Sequence, residues 1–310
     1  MTGAEGSSIL VIGEALVDVF LRADGGVDEA PGGSPANVAL ALGRLGHSPR
    51  LLTRLADDER GQSVRAWLEA SGVEVTAVSA SRTATATARL DKTGAATYEF
   101  DLEWDLAGAE AESSGIVHTG SIAALMQPGS TDVARILDEL HETALITYDP
   151  NIRPALLGDA SLVREQVEAI VARADLVKAS DEDLLWMYPD RVPLDVARSW
   201  LATGPAVVVM TVGEGGAMAM SRSGLLVVEA PRVDVVDTVG AGDTFMGAVI
   251  DGLVREGYRN ASARSRLRDI RAEELTSILQ FAAFAAAITV SRPGADPPRR
   301  DELPLATLST

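Results

Sequence analysis

Cysteine is absent from the 310 residues, which excludes a disulfide framework, a thiolate nucleophile and a zinc–thiolate site. Aromatic residues are scarce at 4%, so a hydrophobic content of 46% must build its core from Ala, Val and Leu. No uninterrupted apolar run reaches the roughly 18 residues that a membrane-spanning helix needs. The opening MTGAEGSS lacks the basic-then-apolar pattern of a secretory signal, and the expectation is a cytoplasmic protein. Positive charge is also short: 27 Lys and Arg face 45 Asp and Glu, a formal net charge of −18. A nucleic-acid partner, which requires basic stripes, is excluded on that ground. A polyanionic ligand would enter only with a metal ion or a local basic patch to offset the overall field. The three histidines, His47, His118 and His141, show no metal-ligand spacing.

What the chain does contain is alternation. Strand candidates are SILVIG (8–13), RLLTRL (50–55), GIVHTG (115–120), ALITYD (144–149), ADLVKAS (174–180) and AVVVMTV (206–212). Helical stretches lie between them, among them VALALGRLG, GQSVRAWLEASG, STDVARILDELHE and SLVREQVEAIVARA. This order predicts an α/β fold with a mostly parallel sheet and helices on both faces. Ser34 suits the cap of the first helix, Pro35 its first position, and Gly46 follows its end. Two stretches break the rhythm: TATATARL (83–90) and AATYEFDLEW (95–104), joined by DKTG, alternate like a hairpin. With VDVFLRA (17–23) they predict a small antiparallel sheet, either a flap over a site or extra edge strands. Phe100 and Trp104, at the hairpin's end, could stack on the flat face of a ligand or pack within the hairpin or a dimer contact. The charge-dense 255–274 reads as a solvated insertion, and a single domain spanning 1–310 accommodates all of this.

One string carries chemistry. In VDTVGAGDTFMGAV (236–249), Gly240, Ala241 and Gly242 precede an apolar helix. Free backbone N–H groups and the helix dipole there suit an anion. Asp243 follows directly. An acid in a first helical turn often does no more than complement the dipole, but capping does not demand three small residues in a row; close backbone approach to a ligand does. A carboxylate beside an anion hole is useful if it takes a proton from an alcohol while the hole holds a phosphoryl group.

DTVGAGDTFMGAVI (237–250) resembles the C-terminal signature of the ribokinase-like (PfkB) carbohydrate kinases, and GGSPANVALALGRLG (32–46) resembles their first signature. The likeness covers nearly all of residues 8–298. GEALVD (13–18), YDPNIRPALL (148–157), VKASDEDL (177–184) and RPGADP (292–297) are most similar to the fructokinase branch. The resemblance implies a ribokinase-like fold with a β lid from about 17–23 and 83–104. It implies an ATP- and magnesium-dependent kinase of a neutral sugar, with D-fructose favoured. The apolar face of the hairpin, with Ala88, Leu90, Tyr98 and Phe100, needs burial against the sugar site or a second subunit, so a homodimer through these flaps is expected. Asp243 would be the base, and Gly240, Ala241 and Gly242 the anion hole. Asp18, Gly32, Gly33 and Asn37 would meet the sugar, with Phe100 and Arg153 as further candidates. Lys178, Ser180, Thr211, Gly213, Gly216 and Gly242 would lie on the nucleotide side. Asp183 would organise magnesium indirectly, and Asp237 would help hold potassium. The physical readings agree: hydroxyls need short acceptors and donors such as Asp18 and Asn37, and Lys178 ends a strand where α/β ligand crevices open. Arg153 follows another strand end and can reach a sugar or phosphate, or pair with an acid.

Departures exist. Where the family carries Asn-x-x-Glu the chain has Ser180 and the shorter Asp183, Thr53 and Ala56 occupy Gly positions, and Ala283 replaces an Asn, leaving adenine contacts to backbone and apolar surface. Kinases for 2-keto-3-deoxygluconate, ribose or a nucleoside share the fold. A catalytically silent sugar- or nucleotide-binding regulator is the non-enzyme alternative.

Overall fold

The computed structural model describes residues 8–22, 26–90 and 96–303. Its centre is a nine-stranded sheet. β1 (Ile9–Ile12) lies inside it, followed in the chain by β2 (Leu16–Leu21) and β3 (Val27–Gly32), which leave for a second sheet. β4 (Arg50–Leu55) and β5 (Glu74–Ser79) extend one side, while β6 (Thr85–Leu90) and β7 (Ala96–Asp101) again leave. β8 (Ile116–Gly120), β9 (Leu145–Asp149), β10 (Leu176–Ser180) and β11 (Val207–Thr211) build the other side. β12 (Ala217–Ser221) and β13 (Gly224–Val228) finish it as an antiparallel hairpin that the sequence reading missed. The order is β13-β12-β11-β10-β9-β8-β1-β4-β5, and pairing is parallel from β11 to β5. Strands β1, β8 and β9 are buried along their whole length, as parallel strands covered on both faces must be.

Helices cover both faces. α1 (Ser34–Arg44), α2 (Glu59–Glu69), α8 (Ala241–Arg255) and α10 (Ala272–Val290) share one core with Val11, Leu51, Leu176 and Val209. α3 (Gly129–Leu140), α5 (Ala160–Val171), α6 (Asp181–Met187) and α7 (Pro193–Leu201) share the other with Ile12, Leu52, Tyr148 and Val177. Two short helices, α4 (Pro154–Leu157) and α9 (Arg264–Arg268), sit in connections. α10 is long and apolar enough to cross a membrane by composition, yet half of it is buried against the rest of the chain. The stretch 255–274 is only partly the solvated insertion expected: Tyr258, Leu267 and Ile270 are buried, and Arg264 pairs with the buried Asp175 at 2.5 Å.

The second sheet has four strands in the order β3-β2-β6-β7. It is mixed rather than antiparallel: β2 pairs β3 and β6 pairs β7 antiparallel, but β2 and β6 run parallel. The DKTG turn lies outside the described residues. Asp58 ties this sheet to the body, because its carboxylate caps α2 at Gly61 N (2.7 Å) and accepts from Thr83 N (2.8 Å) and Oγ1 (2.6 Å) just before β6. Arg60 on α2 pairs with Glu29 on β3 as a second tie.

Candidate active site

Strand β1 sits between β8 and β4, so successive connections run in opposite directions on either side of it. In open α/β sheets ligands bind at the carboxyl ends of the strands at such a reversal. Asp149, Lys178, Ser180 and Thr211 all stand at or one turn from those ends. The first turns of α1 and α8 come to the same place.

Asp243 is 6% exposed in the first turn of α8. Asn37 Nδ2 donates to its Oδ2 at 2.8 Å and Ser34 Oγ to its Oδ1 at 2.7 Å. Ser34 is therefore not the cap of α1. Gly33, which has no side chain to cap with, takes that position at φ 104°, and Ser34 in the first turn turns its hydroxyl to Asp243 instead. A Cβ on Gly33 would meet Glu14 O at 2.5 Å, so the chain must pass here as glycine. Asn37 Oδ1 is buried and has no partner among the described residues, leaving an acceptor open toward the crevice.

Gly240 caps α8 in the left-handed region at φ 74°, and a Cβ there would stand 2.7 Å from Ala295 Cβ. The N–H groups of Gly242 and Asp243 have no acceptor among the described residues, as helix starts require unless a ligand supplies one. A Cβ on Gly242 would lie 3.1 Å from Lys178 Nζ, which places that ammonium beside the open turn. Lys178 is 4% exposed and pairs with Asp149 at 2.9 Å. Burial pulls its pKa down, but Asp149, Asp183 and Asp243 outweigh that and hold it above its ordinary value. Burial lifts Asp149 to about 7 against the pull of Lys178. Asp183 forms a capping box with Ser180, its Oδ2 accepting from Ser180 N at 2.9 Å, and its Oδ1 accepts from Ile152 N at 2.8 Å. Both of its oxygens thus hold backbone, whereas Asp149 Oδ1 is buried with no hydrogen-bond donor.

On the opposite flank stands Asp18, with Gly32 so close that a side chain there would strike its carboxylate. Burial raises Asp18 to about 6, with Arg153 pulling it down and Asp243 pushing it up. Arg153 is exposed; it bonds Asn151 Oδ1 at 2.6 Å, while its Nε and Nη2 find no partner among the described residues. Sequence reasoning missed Asn151 and Glu14. Asn151 adopts φ 37°, which Asn tolerates better than most residues, and points Nδ2 at Ser34 Oγ (2.7 Å). Glu14 is 6% exposed, lifted by burial to about 7, and accepts from Ala123 N at 3.2 Å. Asn151 was visible only as the Asn of D-P-N-I-R.

Phe100 pairs with Ala86, which pairs with Asp18, so the three share a row and one face of the small sheet. Trp104 does not. It is 4% exposed in the core under α3, where its indole donates to Ala123 O at 2.8 Å. Its N–H needs an acceptor when buried, and the loop after β8 supplies one.

Across the crevice, Thr211, Gly213 and Gly216 form the turn from β11 to β12. Nearby chain exposes Val233, Val235, Val236 and Val239, and Phe284 on α10 is 37% exposed. Ala283, beside it, is buried in the core, so the apolar wall at this helix is Phe284. Asp237 clasps two loops: its Oδ1 accepts from Val239 N (3.0 Å) and its Oδ2 from Gly294 N (2.9 Å), and it has no ion-pair partner among the described residues. His47 pairs with buried Asp251, His118 is buried and pushed down to about 3 by burial and by Lys178, and His141 ends α3.

A buried carboxylate beside open N–H groups, a lysine and hydroxyl-sized polar groups defines a site for moving a phosphoryl group onto an alcohol. Comparison with known proteins agrees. The family model for "pfkB family carbohydrate kinase" matches residues 7–302. A probable fructokinase-4 of Arabidopsis thaliana is 30% identical over 96% of this chain and 94% of its own length. A fructokinase of Rhizobium leguminosarum bv. trifolii is 34% identical over 79% of each. The crystal structure of a Xylella fastidiosa fructokinase with bound ATP superposes with a TM-score of 0.82 at 25% identity, covering 94% of both chains. The chain belongs to the pfkB family of carbohydrate kinases. It is an ATP-dependent phosphotransferase with an alcohol as acceptor, of fructokinase type.

Proposed function

We propose that the protein moves the γ-phosphoryl group of ATP onto a primary hydroxyl of a neutral monosaccharide, with D-fructose the favoured acceptor. The observation that carries this is Asp243: its carboxylate is held from both sides, one residue beyond the open N–H of Gly242. In this reading Asp18 and Asn37 grip sugar hydroxyls. Asp243 accepts the proton of the reacting hydroxyl as its oxygen bonds to phosphorus, and the bond from phosphorus to the leaving ADP breaks. The open N–H groups of Gly242 and Asp243 and the Lys178 ammonium stabilise the charge on the transferred group, while the Ala241 N–H is turned back to Thr238 O at 3.3 Å. Magnesium would offset the nucleotide's charge when bound. Asp149 Oδ1, without a donor, can accept from its water shell, while Asp183 contributes mainly its field. Potassium would sit by Asp237, whose charge has no ion-pair partner among the described residues. Val235, Val236 and Phe284 offer an apolar seat for adenine. The small sheet would close over the sugar as a lid, paired with a second copy, in the cytosol where ATP and free sugars meet.

One observation favours a second reading. Arg153 carries unpaired donors at the sugar end, which would suit an acid such as 2-keto-3-deoxygluconate. Glu14 and Asp18 already occupy its field, which weighs for a neutral sugar. ADP release measured across fructose, ribose, a nucleoside and 2-keto-3-deoxygluconate ranks the acceptors, and turnover with any of them removes the silent regulator. Asp243→Asn should lower kcat by roughly 10²–10⁴ with little change in sugar affinity. Retention of most turnover would sink the assignment.

A further inference from the structure

We infer that Ser34 is a positioning residue for the base, the central link of a hydrogen-bond chain Arg153–Asn151–Ser34–Asp243; the inference rests on the reading of Asp243 as base. Arg153 Nη1 donates to Asn151 Oδ1 (2.6 Å), Asn151 Nδ2 donates to Ser34 Oγ (2.7 Å), and Ser34 Oγ donates to Asp243 Oδ1 (2.7 Å). Each group uses its donor and acceptor in the one sense that closes the chain. A buried hydroxyl costs free energy unless it is satisfied, and this one is satisfied both ways without touching the backbone as a cap. Asn37 grips the other oxygen and Asn151 Nδ2 also reaches Oδ1 at 3.4 Å, so the carboxylate is held by two short hydrogen bonds, from Ser34 and Asn37, and one long one. Asn37, however, also faces the sugar through its free Oδ1, and must serve two partners. Ser34 serves the base alone. Its effect is orientation, in a reaction where small displacements of the proton acceptor are costly. Because the far end of the chain is Arg153, exposed at the sugar end, a ligand that engages the guanidinium pulls on the same chain that aims the base.

A hydrogen bond to a charged group typically contributes enough to change a rate by about tenfold when lost. Ser34→Ala should therefore lower kcat about tenfold with KM for ATP within about twofold, while Ser34→Thr, which restores the hydroxyl, recovers most of the rate. The deciding measurement is a double-mutant cycle with Asp243→Asn. If Ser34 acts through Asp243, adding Ser34→Ala to Asp243→Asn costs nothing further. An equal loss on both backgrounds, or an undiminished kcat in Ser34→Ala, overturns the inference. Should Ser34→Ala fold poorly in a thermal melt, Asn151→Gly tests the same chain. Glycine keeps the positive φ and removes only the amide, and the expected fall in kcat, about threefold, must again vanish beside Asp243→Asn. Asp243→Asn retaining full turnover would instead remove the base reading itself, so the two failures are told apart.

Discussion

Asp18 is a carboxyl group that its surroundings make hard to ionise. Burial shifts it from 3.8 to about 6, and the nearby Asp243 adds to that, with Arg153 opposing both. The sugar would meet it as an acceptor, and only the ionised form offers both oxygens. KM for the sugar should therefore rise as pH falls through about 6, approaching tenfold per unit below it, while KM for ATP stays flat over the same range. A sugar KM that does not change between pH 7.5 and roughly 5 would refute this use of Asp18. Linkage gives the stability side its sign. The folded pKa lies above the unfolded one, so folding is penalised once the unfolded chain ionises near 3.8, and the penalty is complete above about 6. Asp18→Asn should then stabilise the protein at pH 7.5 by on the order of 1–3 kcal/mol, read as a raised Tm, while weakening sugar binding. Gain of stability with loss of affinity is the mark of a group kept for the ligand.

At the scale of elements, the start of α8 depends on a strap from the C-terminal end of the chain. Ala295 fills the space a Gly240 side chain would need, Gly294 N bonds Asp237, and the strap is anchored behind by Arg44 to Asp296 and by Arg300 to the fully buried Asp251. A cation bound at Asp237 would therefore stiffen loop and strap together and strengthen the field at the N–H groups of α8. Turnover should be at least about twofold faster in potassium than in sodium at equal ionic strength, and Asp237→Asn should erase the difference. Equal rates in the two salts would count against the cation. Much of this architecture was legible in the sequence: SILVIG brackets β1, because a parallel strand buried on both faces reads as an apolar run. β3 was not, since VDEAPG is acidic, ends in Pro–Gly and owes its extended form to β2 rather than to its own residues. The parallel pairing of β2 with β6 joins segments far apart in the chain, which local alternation cannot reveal. Within the site, Gly32 lies against Asp18, Gly242 against Lys178, and Asn37 bonds Asp243. Ser34 was misread because Ser-Pro at a helix start looks alike whether the hydroxyl caps or faces a ligand; the φ of Gly33 decides, and it is not written in Ser34.

For the molecule as a whole, two forces would act on the proposed pairing with a second copy. The small sheet buries one face, with Val17 and Val19, in the body. Its other face carries Asp18, Phe20, Ala86, Ala88 and Phe100 in adjoining rows, and Phe20 and Phe100 are only half-buried. Such a sheet gains from a cover, and a second copy brings an identical face by a two-fold axis. Opposing this is a net charge of −18 on each protomer. Repulsion between like-charged bodies is long-ranged at low salt and short at physiological salt, while the apolar contribution barely changes over that range. The proposed homodimer should thus predominate at micromolar concentration in about 0.15 M salt and loosen at about 0.01 M, the reverse of an interface held by ion pairs. Phe20→Glu, which adds charge and removes apolar area at the centre of the face, should leave the melting temperature nearly unchanged, yield monomers and raise KM for the sugar several-fold, because the lid beside Asp18 then lacks its support. Light scattering with sedimentation measures the first effect, and the coupled ADP assay the second. A wild-type monomer at these concentrations would overturn the dimer but leave the lid standing. A Phe20→Glu monomer with unchanged sugar KM would separate the two, showing that the sheet closes over the sugar without help from a partner.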